Sequence, residues 1–219
     1  MPALSLALAP AAPLIWLSKF SRPPLTTYIL DKIVKTLEIV VFLTLGLWLT
    51  KGFVISPRLI VLLLFANDFV TMSIATDRVL PASQPQRWRV GQLVGAAGVL
   101  AAVSLAFTLS LYGAARTEFG LNAGQMQTMV FLLLVFTTQA NIYVLRNDGP
   151  MWAFAPGTLM AWASAIDVVL VSVLAVTGTL MTAVPLELVG ALICAVAVFA
   201  LLLDRIKSVV FWRFMFGGA

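Results

Sequence analysis

Leu59-Ile60-Val61-Leu62-Leu63-Leu64-Phe65-Ala66-Asn67-Asp68-Phe69-Val70-Thr71 is an apolar run with an amide and a carboxylate set into it. It lies within Pro57 to Thr76, which has the ~20 mainly apolar residues that a bilayer crossing requires. Five other stretches have the same character: Tyr28 to Thr50, Val90 to Tyr112, Met126 to Leu145, Thr158 to Met181 and Leu186 to Leu203. Between them stand turn signals: Lys51-Gly52, Pro81 and Pro85, Asn122 to Gly124, Asn147-Asp148-Gly149-Pro150, and Pro185. The expected fold is all-α: a polytopic bundle of six transmembrane helices over residues 28–203, with a leader over 1–27 and a tail over 204–219.

Composition points the same way. Of 219 residues, 61% are hydrophobic and 11% charged, with a mean hydropathy of +1.03. A soluble domain is about 25% charged, so a water-soluble globule is excluded. There is no His and one Cys, Cys194. That removes a His/Cys zinc site, a disulfide framework and a Cys-His nucleophile pair. The net charge of +5 belongs to helix ends rather than to nucleic-acid binding.

Sidedness follows from Lys and Arg. With both termini cytoplasmic, that side holds Lys19, Arg22, Lys32, Lys35, Arg78, Arg87, Arg89, Arg146, Arg205, Lys207 and Arg213. The outer side holds Lys51, Arg58 and Arg116. Residues 1–17 are apolar but interrupted by Pro2, Pro10 and Pro13 and lack a basic start. They read as an irregular or interfacial leader rather than a cleavable signal peptide.

Ionisable groups at membrane depth are costly and mark function. Glu38 lies ~18 Å from the outer end of the first span, and Asp68 ~17 Å from the outer start of the second, at 1.5 Å per residue. The short loop between these helices makes them antiparallel neighbours, with both acids at one level. Asp31, Lys35 and Glu38 share a face, so Lys35 can pair with either acid. Asn67, Asp68 and Thr71 form a second polar cluster. A carboxylate in a low-dielectric site can carry a proton, or bind a cation together with amide and hydroxyl oxygens. Asp167 stands in its helix with no identifiable partner. Thr137, Thr138, Gln139 and Asn141 read as helix–helix hydrogen-bonding groups, and Gly91, Gly95 and Gly98 as a close-packing face.

One string is more specific. Asn67-Asp68-Phe69-Val70-Thr71-Met72-Ser73-Ile74-Ala75-Thr76-Asp77-Arg78-Val79, followed by Pro81, Ser83, Pro85 and Trp88, resembles the sixth membrane helix and next loop of cation-pumping P-type ATPases. The proton-pump branch and its bacterial relatives are the nearest likeness. In the same order, Tyr28 to Leu37 resembles the start of the family's fifth membrane helix. Arg146 to Gly157 resembles the loop before the ninth, and Leu203-Asp204-Arg205-Ile206-Lys207 the end of the tenth. The resemblance implies that Asp68 holds the transported ion with Asn67 beside it. It also implies that the fifth helix contributes, which fits Glu38 and Lys35.

The family phosphorylates an aspartate in Asp-Lys-Thr-Gly-Thr, a string that does not occur here, nor does a P-loop. The chain therefore looks like the C-terminal membrane part of such a pump. The expected function is that of ion-site and support helices, with Asp68, Asn67, Thr71 and Glu38 at the ion and Lys35 as charge partner. The chain has no cofactor of its own, and Mg-ATP is implied only for a complete pump. Its expected partners are the lipid bilayer, a transported cation (H⁺, or Mg²⁺ or Ca²⁺) and a separate ATPase portion. The expected location is the plasma (inner) membrane. The alternative is a non-enzymatic membrane protein, either a passive cation pathway or a partner of a full-length pump. A third reading is a six-span transporter of unrelated origin.

Overall fold

Six helices make up a computed structural model that describes residues 24–74, 90–147, 150–153, 155–211 and 213. They are α1 (Pro24–Thr50), α2 (Pro57–Ser73), α3 (Val90–Glu118), α4 (Ala123–Leu145), α5 (Thr158–Thr177) and α6 (Leu186–Phe211). All but α2 are long and apolar enough to cross a membrane. α2 has 17 residues among those described. The leader expected over 1–27 lies almost wholly outside the described residues. So do Lys19, Arg22, Arg78, Arg87 and Arg89 of the sidedness count, and the second half of the Asn67-to-Trp88 string.

Local chemistry sets the helix ends. Ser56 caps α2, its Oγ accepting from Leu59 N at 3.4 Å, and Pro57 fills the first turn, where its missing N–H costs nothing. A reciprocal capping box between Asn122 and Gln125 starts α4 three residues before the expected Met126. α5 ends at Thr177 rather than Met181, because Gly178 takes a left-handed conformation at φ 73° and returns its N–H to Leu174 O. α3 continues past Tyr112 to Glu118. α6 continues past Leu203 to Phe211, so part of the expected tail is helix.

α4 is the hub. It packs against every one of the other five helices, and it is buried without a break from Thr128 to Gln139. Its sequence explains this. From Thr128 to Phe136 it carries no residue that prefers water, so no face has to point outward. α1 and α2 are neighbours, as expected, but side chains rather than close backbone packing join them: Lys32 reaches Asp68 and Lys35 reaches Thr71. α1 packs on α3 and α4, while α2 packs on α4 and α5. A short loop limits how far apart two helix ends can stand, but it does not oblige the helices to touch along their length. The loop is held in place by Gln127 Nε2, which donates to Phe53 O at 3.1 Å. Gly46 lets Val54 close over α1, since a Cβ there would stand 2.8 Å from Val54 Cγ1.

At Gly91 and Gly98 the expected close-packing face of α3 is corrected. A Cβ at Gly91 or Gly98 would meet nothing within 4 Å. The closely packed side of α3 is instead Leu93, Ala96, Ala97, Leu100 and Ala101, which is buried. At the other end of the bundle, Asp204 on α6 accepts from Met151 N at 3.0 Å and from Lys207 Nζ at 2.7 Å. Lys207 Nζ also donates to Val144 O at 2.8 Å. The 146–157 loop, the end of α4 and the end of α6 are thereby clasped together.

Candidate ion site

In hydrocarbon, one helix gains little by exchanging a lipid tail for another helix's leucine, so packing and hydrogen bonds decide which faces meet. Beyond its first turns, the polar residues of α4 sit in a single band, Thr137 to Asn141, and successive residues point about 100° apart around the helix. Each therefore reaches a different neighbour. Asn141 bonds to α1, Thr138 to α2 and Gln139 to α5. These residues were expected to act between helices, and each of those three does so.

Glu38 lies at the centre of the first cluster and is fully buried. Its Oε1 accepts from Thr108 Oγ1 at 2.8 Å, and its Oε2 from Asn141 Nδ2 at 3.2 Å. Ser104 Oγ donates to Asn141 Oδ1 at 3.4 Å, which orients the amide so that its NH₂ faces the carboxylate. The carboxyl group thus sits where α1, α3 and α4 meet, within reach of hydroxyl and amide groups and, among the described residues, of no Lys or Arg ion pair.

The second cluster lies between α1, α2 and α4. Lys35 Nζ donates to Thr71 Oγ1 at 2.6 Å and stands 3.6 Å from Asp31 Oδ2. Lys35 therefore takes Asp31 as its partner rather than Glu38. Thr138 Oγ1 donates to Asn67 Oδ1 at 2.5 Å. Neither oxygen of Asp31 accepts a hydrogen bond within normal distance, and Asn67 Nδ2 finds no acceptor. Both groups are buried, so this cluster retains unused hydrogen-bonding capacity.

Asp68 is elsewhere. Its side chain is 52% exposed and paired with Lys32 Nζ at 2.6 Å. Lys32 also lies over the Tyr28 ring, 5.7 Å from its centroid. Helix geometry forces this separation. Asn67 and Thr71 are four apart and share the inward face, whereas Asp68 is one step round, on the exposed side with Phe65, Phe69 and Met72. Of the four residues expected at the ion, Glu38, Asn67 and Thr71 face the interior in two adjoining clusters. Asp68 faces outward, and the expected match in depth between Glu38 and Asp68 does not bring them into contact.

Asp167 does have a partner: Gln139 Nε2 donates to its Oδ2 at 2.5 Å. Sequence reasoning missed Ser104 and Thr108. Their signal was available as two hydroxyls four apart, and so on one face, in the apolar middle of the helix. Among the described residues, no group of three or more His, Cys, Asp or Glu side chains stands together as a metal centre.

No family model matches the chain. Individual proteins do. It is 24% identical over 188 residues to a protein of Methanocaldococcus jannaschii named as a cation-transporting ATPase; that covers 85% of this chain and 23% of the relative. It is 28% identical over 148 residues to plasma membrane ATPase 2 of Saccharomyces cerevisiae, covering 65% of this chain and 15% of the relative. Against the plasma membrane ATPase of Neurospora crassa the identity is 27% over 159 residues, covering 70% and 17%. The chain thus spans less than a quarter of the length of these relatives.

Proposed function

The chain is a homologue of the P-type cation-transporting ATPases, matching their membrane part only, and from that premise we propose that it forms the ion-carrying helices of such a pump. It is an integral, multi-pass membrane protein of apolar helices. In the proposed arrangement all six helices span the plasma (inner) membrane with both termini cytoplasmic. ATP hydrolysis is supplied by a separate portion.

The observation that carries this reading is the Glu38 carboxyl group. It is buried in a membrane helix and bonded by Thr108 and Asn141 rather than by a fixed cation. A structural acid at that depth is normally neutralised by a permanent partner, as Asp31 is by Lys35. Glu38 has polar neighbours that tolerate a change of occupant. Charge counting then narrows the cargo. Asp31, Lys35 and Glu38 together carry one net negative charge, and Lys32 with Asp68 carry none. One proton or one monovalent cation brings the group to neutrality. A divalent ion would leave an uncompensated positive charge in a low dielectric, which is unfavourable.

The Lys32–Asp68 pair supports a partner. An ion pair on the outer surface of membrane helices is poorly solvated by lipid tails. A second protein element laid over α1 and α2 would cover it and place Asp68 within the transport path.

The test is purification of the chain from its own cell membranes, followed by assay of ATPase activity. ATP hydrolysis that co-purifies and falls about ten-fold in Glu38→Gln, a change of about 1.4 kcal/mol in barrier, supports the pump. No ATPase in the preparation rules it out. Ion flux into vesicles of the chain alone, without ATP and lost in Asp68→Asn, identifies a passive pathway instead.

A further inference from the structure

A cavity of about 550 Å³ lies between α4, α5 and α6, a size ordinary for a small-molecule site. Its walls include Phe136, Ala140, Val168 and Val196. Its mouth opens past the exposed side chains of Val169 and Ile193, towards the bilayer. Three polar side chains line it: Gln139 and Ser164, each 6% exposed, and the half-buried Tyr143. We propose that this cavity binds a neutral, largely apolar molecule bearing one hydroxyl group, taken up from the bilayer.

The two buried, unpartnered polar groups specify the ligand. Gln139 commits its Nε2 to Asp167 Oδ2, so its Oε1 is turned away from that carboxylate. That oxygen is buried and accepts nothing. Ser164 Oγ is also buried and unpartnered. Other hydroxyls in these helices behave differently: those of Thr44, Ser110, Ser172 and Thr177 return to the carbonyl four residues earlier. Ser164 Oγ makes no such bond, and its residue lines the cavity. Hydrocarbon tails cannot satisfy either group, and unsatisfied polar atoms at membrane depth are rare because they are costly. One ligand hydroxyl donating to Gln139 Oε1 and accepting from Ser164 Oγ satisfies both.

Depth and charge exclude other occupants. Ser164 lies six residues inside the start of α5 and Gln139 six before the end of α4, or ~9 Å from each helix end. A phospholipid headgroup would have to be drawn that far below the interface. Asp167 is not part of the wall, so an amine-bearing ligand would find no counter-charge. The site is also separate from the ion clusters. Gln139 and Asn141 are two residues apart on α4 and point about 200° apart, one to this cavity and the other to Glu38.

The full chain in lipid nanodiscs is labelled with a diazirine-bearing octan-1-ol, and adducts are mapped by peptide mass spectrometry. Saturable adducts are expected in α4 and α5 around Gln139 and Ser164. Unlabelled octan-1-ol should displace them about ten-fold better than octane, the scale set by one hydrogen-bonded hydroxyl. Ser164→Ala should weaken displacement by octan-1-ol several-fold, and Ala165→Trp at the mouth should abolish saturable labelling. Scattered, non-saturable adducts overturn the proposal, as does equal displacement by octane. Should either variant fail to fold, the comparison of octan-1-ol with octane on the unsubstituted chain decides.

Discussion

Thr108→Val isolates the contact on which the ion-site reading depends. Valine keeps the shape of threonine and removes its hydroxyl. Thr108 Oγ1 stands 2.8 Å from Glu38 Oε1 and 2.8 Å from Ser104 O. It has one proton, so the substitution removes one donor's worth of bonding. Glu38 then keeps the longer bond from Asn141, at 3.2 Å, with the Thr137 hydroxyl also beside it. A hydrogen bond to a charged group contributes about 1.5–3 kcal/mol in water-soluble proteins. Side-chain bonds within membranes average about 0.6 kcal/mol, with a maximum near 1.7. The contact is fully buried and the acceptor is a carboxyl group, so a loss of about 1.5 kcal/mol is expected. The assay is equilibrium unfolding in mixed detergent micelles, run as a double-mutant cycle with Glu38→Gln. A coupling of about 1 kcal/mol is expected, within the range for directly bonded pairs. Ser110→Ala is the control, because its hydroxyl bonds only to Ala106 O in its own helix; it should cost less than about 0.5 kcal/mol. If Thr108→Val behaves like Ser110→Ala and shows no coupling to Glu38, the α1–α3 contact at the site is wrong.

Three further outcomes are expected. Asp204→Asn should destabilise the chain by about 3 kcal/mol, because it strips the buried Lys207 of its carboxylate, 2.7 Å away. The double variant Asp204→Asn/Lys207→Met should recover part of that loss in the same unfolding assay. Gly46→Ala should cost about 1–3 kcal/mol, since the new methyl meets Val54 at 2.8 Å; adding Val54→Ala should restore most of it. The double variant Lys32→Met/Asp68→Asn should change stability in detergent by less than about 0.5 kcal/mol, because that pair is partly exposed. A loss above 2 kcal/mol would place the pair in the fold rather than at a covered surface.

The apolar runs determined, without any structure, that this is an all-helical membrane protein, because only a closed helix satisfies its backbone in lipid. They also located all six helices to within a few residues at most ends. The larger misses are at C-terminal ends: α6 carried on through Asp204 and Lys207, α3 carried on past Tyr112 to Glu118, and a left-handed Gly178 shortened α5. Helical spacing likewise put Asp31, Lys35 and Glu38 on one face, and Asn67 with Thr71 on another. What spacing alone could not supply was the neighbour of each face. Between apolar helices in lipid the hydrophobic effect discriminates little, so pairing rests on packing and a few polar contacts far apart in sequence. Glu38 meets Asn141 across 103 residues and Thr108 across 70. Only the tertiary structure could place α4 at the hub and set the closest packing of α1 on α3 rather than on α2. Only it could turn Asp68 outward to Lys32 while leaving Glu38 inside without a fixed cation.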